Sequence, residues 1–148
     1  MLKFVLISIG TLVVFAGGCN TAPAVKTDSG ITETTPQIVE MSPAEAQPLV
    51  AKAYSQFIDV RTAEEYAGGH ALRAVNIPLD TLNDNLDRLE KNEPVYLICQ
   101  TDNRSKKAAE VLKDKGFGNI VNIQGGTSAW QTAGLPMETK PPHSGPAK

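Results

Sequence analysis

Three things are scarce in this chain, and each scarcity removes a class of function. Net charge is small: 14 Lys and Arg against 16 Asp and Glu leave −2 over 148 residues. A nucleic-acid binder needs a basic face or stripe, so that class is set aside. Cysteines number only two, Cys19 and Cys99, too few for a small fold stapled by disulfides. No apolar run suits a bilayer span: the candidate, residues 4–16, has 13 residues, against ~20 for a spanning helix. No internal repeat is present, and His143 has no second ligand nearby, so no metal site is expected. Hydrophobic residues make up 41% of the chain, enough for a packed core, which excludes disorder throughout. The length suits one ordinary domain.

The first 18 residues have the anatomy of a secretory signal: Lys3, the apolar run, then Gly17-Gly18. Small residues directly before Cys19 resemble the lipobox of bacterial lipoproteins, with Ala16 where that pattern usually has Leu. The resemblance implies cleavage before Cys19 and acylation of both its thiol and its new amine. An ordinary cleaved signal or an uncleaved anchor is the alternative. Several acyl chains at ~0.8 kcal/mol per buried methylene would hold the domain firmly to a membrane. The expected location is the cell envelope, facing the periplasm or exterior. Asn20, rather than Asp, after the cysteine favours the outer membrane if the host is Gram-negative. Residues 19–37 then read as a flexible linker, too poor in large apolar side chains to offset their ordering entropy. Residues 138–148, with Pro141, Pro142 and Pro146, read as a disordered tail.

Between them, residues 38–137 alternate short apolar runs with amphipathic stretches. Gln56–Val60, Val95–Cys99 and Ile120–Ile123 read as strands, being rich in β-branched or aromatic residues. Val95–Cys99 is apolar throughout, as a central strand covered on both faces should be. Ser42 with Glu45, and Thr62 with Glu65, are spaced as capping boxes, and Pro43 suits a first helical position. Pro48 should kink or shorten the first of these helices. Ser105–Lys115 places Ala108, Ala109, Val111 and Leu112 on one face, with Gly116 positioned to end the helix. Strands alternating with helices predict one α/β domain: a mostly parallel central sheet with helices on both faces.

In such a sheet, ligands bind beyond the carboxyl ends of the strands. Cys99 lies there, followed by the polar loop Gln100, Thr101, Asp102 and Asn103, then Arg104 and Ser105 opening a helix. Cysteine is often a buried structural residue. Here, though, backbone N–H groups, a positive helix end and a guanidinium would favour a thiolate and hold an anion near it. Nucleophilic chemistry on an anionic substrate is the natural use.

Asp59-Val60-Arg61, Glu65-Tyr66, Gly69-His70, Ala74–Pro78, Cys99 with Arg104-Ser105, Gly125-Gly126 with Ala129-Trp130, and Gly134-Leu135-Pro136 together resemble a single-domain rhodanese. The resemblance runs in order over roughly residues 40–137. It implies a sulfurtransferase in which Cys99 takes sulfane sulfur from a donor such as thiosulfate, becomes a persulfide, and passes the sulfur to cyanide or a thiol. Gln100, Thr101, Asp102, Asn103, Arg104 and Ser105 would cradle the terminal sulfur. The small-molecule donor and acceptor are the expected partners, beside the membrane, and no cofactor or metal is implied. Phosphatases and arsenate reductases sharing the fold have five residues between Cys and Arg; four stand here, which favours sulfur transfer. Asp59, Arg61, His70 and Trp130 read as structural, and Arg73, where the family often has Gly, as a turn residue.

Asp102 also stands where the family commonly has Gly, and it is expected to set a negative charge beside the anion site. Arg104 is expected to supply positive charge there, or else to tie the loop together. Two other readings stay open beside turnover: a rhodanese-like binding module, and a persulfide carrier or redox sensor. With Cys19 acylated, Cys99 is the sole free thiol, so a dithiol oxidoreductase is excluded.

Overall fold

The computed structural model describes residues 36–139. The signal segment, Cys19, nearly all of the linker, His143 and most of the tail lie outside the described residues. Among the described residues, no helix is long and apolar enough to cross a membrane. Seven strands and four α-helices follow in order: β1 (Gln37–Met41), α1 (Pro43–Val50), β2 (Gln56–Asp59), α2 (Ala63–Ala67), β3 (His70–Ala71), β4 (Val75–Asn76), β5 (Val95–Ile98), α3 (Asn103–Asp114), β6 (Asn119–Ile123), α4 (Gly126–Thr132) and β7 (Met137–Glu138). A 3-10 helical stretch, Leu79–Arg88, precedes β5 and breaks at Asn85, whose φ is −120°.

The main sheet has the order β1-β6-β5-β2-β4, with every pairing parallel. β5 is therefore central, and its apolar sequence serves two faces. Val95 and Leu97 pack with Ala108, Ala109 and Leu112 of α3 and with Leu82, while Tyr96 and Ile98 face Trp130, Phe57, Tyr66 and α1. This period-two division follows from the pleat of the strand. The α/β class read from the sequence, a mainly parallel sheet flanked by helices, is the observed one. β3 and β7 form a separate antiparallel pair, His70 opposite Glu138.

Both capping boxes form: Ser42 with Glu45 starts α1 and Thr62 with Glu65 starts α2. Pro43 opens α1, and the helix stops two residues beyond Pro48. A proline cannot donate to the ladder, and an eight-residue helix is the result. Gly116, φ +82°, ends α3 as its sequence position suggests.

The domain edges differ by one residue from the composition boundaries. Gln37, assigned to the linker, opens β1 beside Asn119, and Glu138, assigned to the tail, pairs with His70. Composition marks where apolar residues stop; backbone pairing carries the strand one residue further. Likewise β5 ends at Ile98 rather than Cys99, and α3 begins at Asn103 with Asp102 at its N-cap position.

Candidate active site

Cys99 follows β5 at the carboxyl edge of the sheet and is buried, 1% exposed. Its Sγ lies 3.3 Å from Ser105 Oγ, which also hydrogen-bonds the Asp102 carbonyl at 3.0 Å. The chain thus curls from residue 99 to residue 105 and back onto its own sulfur.

What shapes this curl is α4. The Cys99 carbonyl accepts from Thr127 N–H at 2.7 Å and from Thr127 Oγ1 at 3.0 Å. The Gln100 carbonyl accepts from Ser128 N–H at 3.3 Å, and the Gln100 side chain donates to Ser128 Oγ at 3.0 Å. No peptide in the described chain is cis. In a planar trans peptide, a carbonyl turned one way sends the next N–H the other way. The N–H groups of Gln100 and Thr101 therefore point away from α4. Among the described residues the backbone N–H groups of Gln100, Thr101, Asp102, Asn103, Arg104 and Ser105 have no hydrogen-bond partner. The last three are first-turn amides of α3, which a helix leaves unpaired. With the positive end of a twelve-residue helix behind them, they can receive an anion.

The close approach of α4 requires Gly126. A Cβ there would overlap the Cys99 carbonyl oxygen and come within 2.8 Å of the Gln100 carbonyl carbon, and its φ is +57°. The sequence reading treated Gly125-Gly126 only as a motif; Gly126, Thr127 and Ser128 are the parts that hold the loop.

Two arginines flank the site. Arg61 is buried and grips the Asp59 carboxylate, with Nη2 at 2.6 Å from Oδ2 and Nε at 3.0 Å from both oxygens. It reaches onward to the Gly69 carbonyl at 2.9 Å and to Gln100 Oε1 at 3.3 Å. This pair fixes strand ends and braces the loop from the side opposite Ser128. Arg104 forms a two-pronged pair with Glu65, both contacts 2.6 Å, so its terminal nitrogens are engaged rather than free over the loop. That hydrogen-bonded pairing, against some opposition from burial, holds the Glu65 carboxyl at about 2, far below its usual value. Arg104 is raised by the same pairing, with smaller contributions in that sense from Cys99 and Asp59. Glu65 was legible as a capping residue, and it does accept from Thr62 N–H at 3.1 Å. Its bond to a residue 39 positions away was not legible.

Asp102 departs from expectation. It adopts φ +85°, in the left-handed region. Its carboxylate is not left bare beside the loop: Oδ1 accepts from Gly125 N–H at 2.8 Å, and Oδ2 lies 3.6 Å from Lys106 Nζ. The expected naked charge is therefore partnered.

The other motif residues are structural in their contacts. His70 is fully buried, stacked on Tyr66 at 3.5 Å between centroids, with Nδ1 donating to the Tyr66 carbonyl at 2.9 Å. Trp130 donates from Nε1 to the Pro136 carbonyl at 3.0 Å. Arg73, φ +74°, makes the turn before β4. A cleft of about 300 Å³ opens beside Arg104, lined by Val60, Thr62, Pro78, Leu79 and Asp80. A slightly larger one, about 350 Å³, lies by Tyr54 and Tyr96 at the opposite, amino-terminal end of the strands, away from the cysteine. No group of three or more His, Cys, Asp or Glu side chains among the described residues could hold a metal ion.

Fold and loop together define a parallel α/β domain with a cysteine cradled at a helix N-terminus. The chain belongs to the family of the rhodanese-like domain, whose model matches residues 42–133. It is 31% identical over 100 residues to the thiosulfate sulfurtransferase GlpE of Actinobacillus pleuropneumoniae serotype 3, covering 68% of this chain and 93% of that one. The uncharacterized protein YqhL of Bacillus subtilis is 43% identical over 76 residues, 51% of this chain and 60% of its own length. A rhodanese-related protein of known structure from Thermoplasma volcanium superposes with a TM-score of 0.62 at 30% identity, over 69% of this chain and 99% of its own.

Two consequences can be measured. Gly126→Ala should lower unfolding free energy by about 2 kcal/mol or more, since the new Cβ meets rigid backbone in a left-handed conformation. Urea denaturation reads this, and labelling of Cys99 should change with it. Separately, the lowered Glu65 stabilises the fold above about pH 4.5, and that contribution is lost as pH falls toward about 2. The difference in Tm between wild type and Glu65→Gln should therefore be largest above pH 4.5 and shrink below it.

Proposed function

We propose that this protein is a sulfurtransferase of the cell envelope that moves sulfane sulfur through a Cys99 persulfide. The observation that carries the reading is the position of Cys99, immediately after the central parallel strand and at the mouth of a loop of unpaired amides. The Cys99 thiolate attacks the outer sulfur of a donor such as thiosulfate. A new S–S bond forms on Cys99, the donor's S–S bond breaks, and sulfite leaves with its electron pair. A second nucleophile, cyanide or a thiolate, then attacks the terminal sulfur and returns Cys99 as thiolate. One nucleophile serving two substrates in turn is double displacement. The amides of residues 100–105 would stabilise the negative charge on donor and persulfide, acting as preorganised donors. The likeness to GlpE, a thiosulfate sulfurtransferase, supports thiosulfate as a donor.

A second reading, a persulfide carrier or redox-sensing module that does not turn over, is favoured by the 1% exposure of Cys99. That burial would shield a loaded sulfur from all but small acceptors. The mass of the purified chain before and after thiosulfate distinguishes the two. Gain of one sulfur on Cys99, removed by cyanide, is the outcome for turnover; a gain that acceptors cannot remove means carriage, and no gain overturns both. Cys99→Ser should abolish the gain, and the new hydroxyl, although buried, has Ser105 Oγ beside it as a hydrogen-bond partner.

The envelope location rests on Gly17-Gly18-Cys19 after a short apolar run. Cys19 would carry acyl chains and hold the domain at the membrane surface through residues 20–36. Cys19→Ala should abolish lipid labelling and move the protein from the membrane to the soluble fraction. Unchanged membrane association would overturn the lipid anchor.

A further inference from the structure

The sequence departs from its family at Asp102, and the structure gives that side chain a place. The carboxylate bridges the cysteine loop to the β6–α4 turn. Oδ1 accepts from Gly125 N–H at 2.8 Å and stands 3.5 Å from Asn122 Nδ2. Oδ2 is 3.6 Å from Lys106 Nζ, which in turn lies 3.9 Å from Glu40. Asn122 is fully buried and donates to Glu40 at 2.8 Å, so the network spans β1, β6, α3 and the loop. The next residues after Gly125-Gly126 are Thr127 and Ser128, whose N–H groups hold the Cys99 and Gln100 carbonyls. Asp102 thus adds a third tie between the same two segments, at the far end of the loop from Cys99.

We propose that Asp102 is a positioning residue: its carboxylate is a strut that fastens the loop to Gly125 and so keeps the amides of residues 100–105 in their anion-receiving arrangement. Geometry and charge argue the same way. The Asp102 carbonyl accepts from Ser105 Oγ and from Lys106 N–H, both at 3.0 Å, while its side chain makes no helix-capping bond and reaches across to Gly125 instead. The cost of its charge to an arriving anion is offset in part by the Gly125 N–H, hydrogen-bonded at 2.8 Å, and by the Lys106 ammonium 3.6 Å away. A charge-assisted hydrogen bond is stronger than a neutral one, so the strut is stiff where the backbone is in a left-handed conformation. The inference rests on the anion-receiving role given to the loop, but its test does not require sulfur transfer.

The test compares wild type, Asp102→Gly and Asp102→Asn in the full chain. Glycine is free of strain at φ +85°, so this variant removes the strut without burdening the backbone. Asparagine keeps an oxygen for Gly125 N–H and drops the charge. Rates of alkylation at Cys99 by iodoacetate and by iodoacetamide are read by peptide mass spectrometry, and their ratio reports preference for an anion independently of thiol ionisation. The ratio is expected to fall in Asp102→Gly and stay within about twofold of wild type in Asp102→Asn, while exchange of the Gly125 amide speeds up only in Asp102→Gly. Thiosulfate kcat/KM should fall between about tenfold and a hundredfold in Asp102→Gly, as expected when reacting groups are misplaced by small distances. A ratio that rises in both variants would mean the carboxylate merely repels anions, and an unchanged ratio would mean the loop holds without it; either overturns the proposal. If the ratio and the exchange behave as expected but thiosulfate never loads wild-type Cys99, the sulfurtransferase reading fails and the strut stands.

Discussion

The cysteine loop depends on a pair of backbone carbonyls being turned toward the neighbouring helix, which sends the N–H groups that follow them to the other side. Thr127 and Ser128 draw the carbonyls of Cys99 and Gln100 toward α4, and peptide planarity does the rest. The turn of these two carbonyls is therefore set by the neighbouring helix, whose close approach at Gly126 leaves no room for a side chain. The loop adds ties of its own through the Gln100 side chain on Ser128 and the Asp102 carboxylate on Gly125.

Charge near the sulfur is arranged in closed pairs. Asp59 neutralises Arg61, Glu65 neutralises Arg104, and Lys106 sits between Asp102 and Glu40. The Asp59–Arg61 pair is buried, and breaking it would leave an uncompensated charge in a low-dielectric setting. The pairs leave the α3 amides as the positive groups without a partner of their own. These amides are dipoles already fixed in place by the fold, while the formal charges remain occupied in holding strand ends and helix starts. Glu65 illustrates the economy: one carboxylate caps α2 and grips the first turn of α3.

Much of this was legible in the residues. The apolar β5 announces a central strand, the two capping boxes announce helix starts, and Cys99 before a polar loop announces the carboxyl edge. Other elements left no local trace. β1 is a half-exposed edge strand with no clean alternation, and β3, β4 and β7 are two residues each; Leu79–Arg88 does carry leucines at helical spacing (79, 82 and 86), but it folds as 3-10 turns broken at Asn85 rather than as one α-helix. Within the site, the sequence could supply residue types but not partners. Arg104 and Glu65 are 39 positions apart, and Asp102 and Gly125 are 23 apart. A charge read from sequence is assumed to face its nearest neighbour; here both charged groups of the loop turn to residues brought up by the fold. That is why the sequence sets Asp102 as a charge beside the anion site and leaves Arg104 between two roles, charge donor or loop tie, while the fold turns it to Glu65.

The order of strands in the main sheet has a temporal meaning. β1 lies at the edge and pairs only with β6, Gln37 opposite Asn119, so the first strand made waits for almost the last. Closing so long a loop is entropically slow, and domains built on distant pairings fold more slowly than those built on near ones. A chain still emerging from the ribosome therefore holds β1 unpaired until β6 has appeared. The main sheet therefore cannot be completed before residue 123 is available, and a chain that stops short of β6 leaves β1 with no strand to pair with.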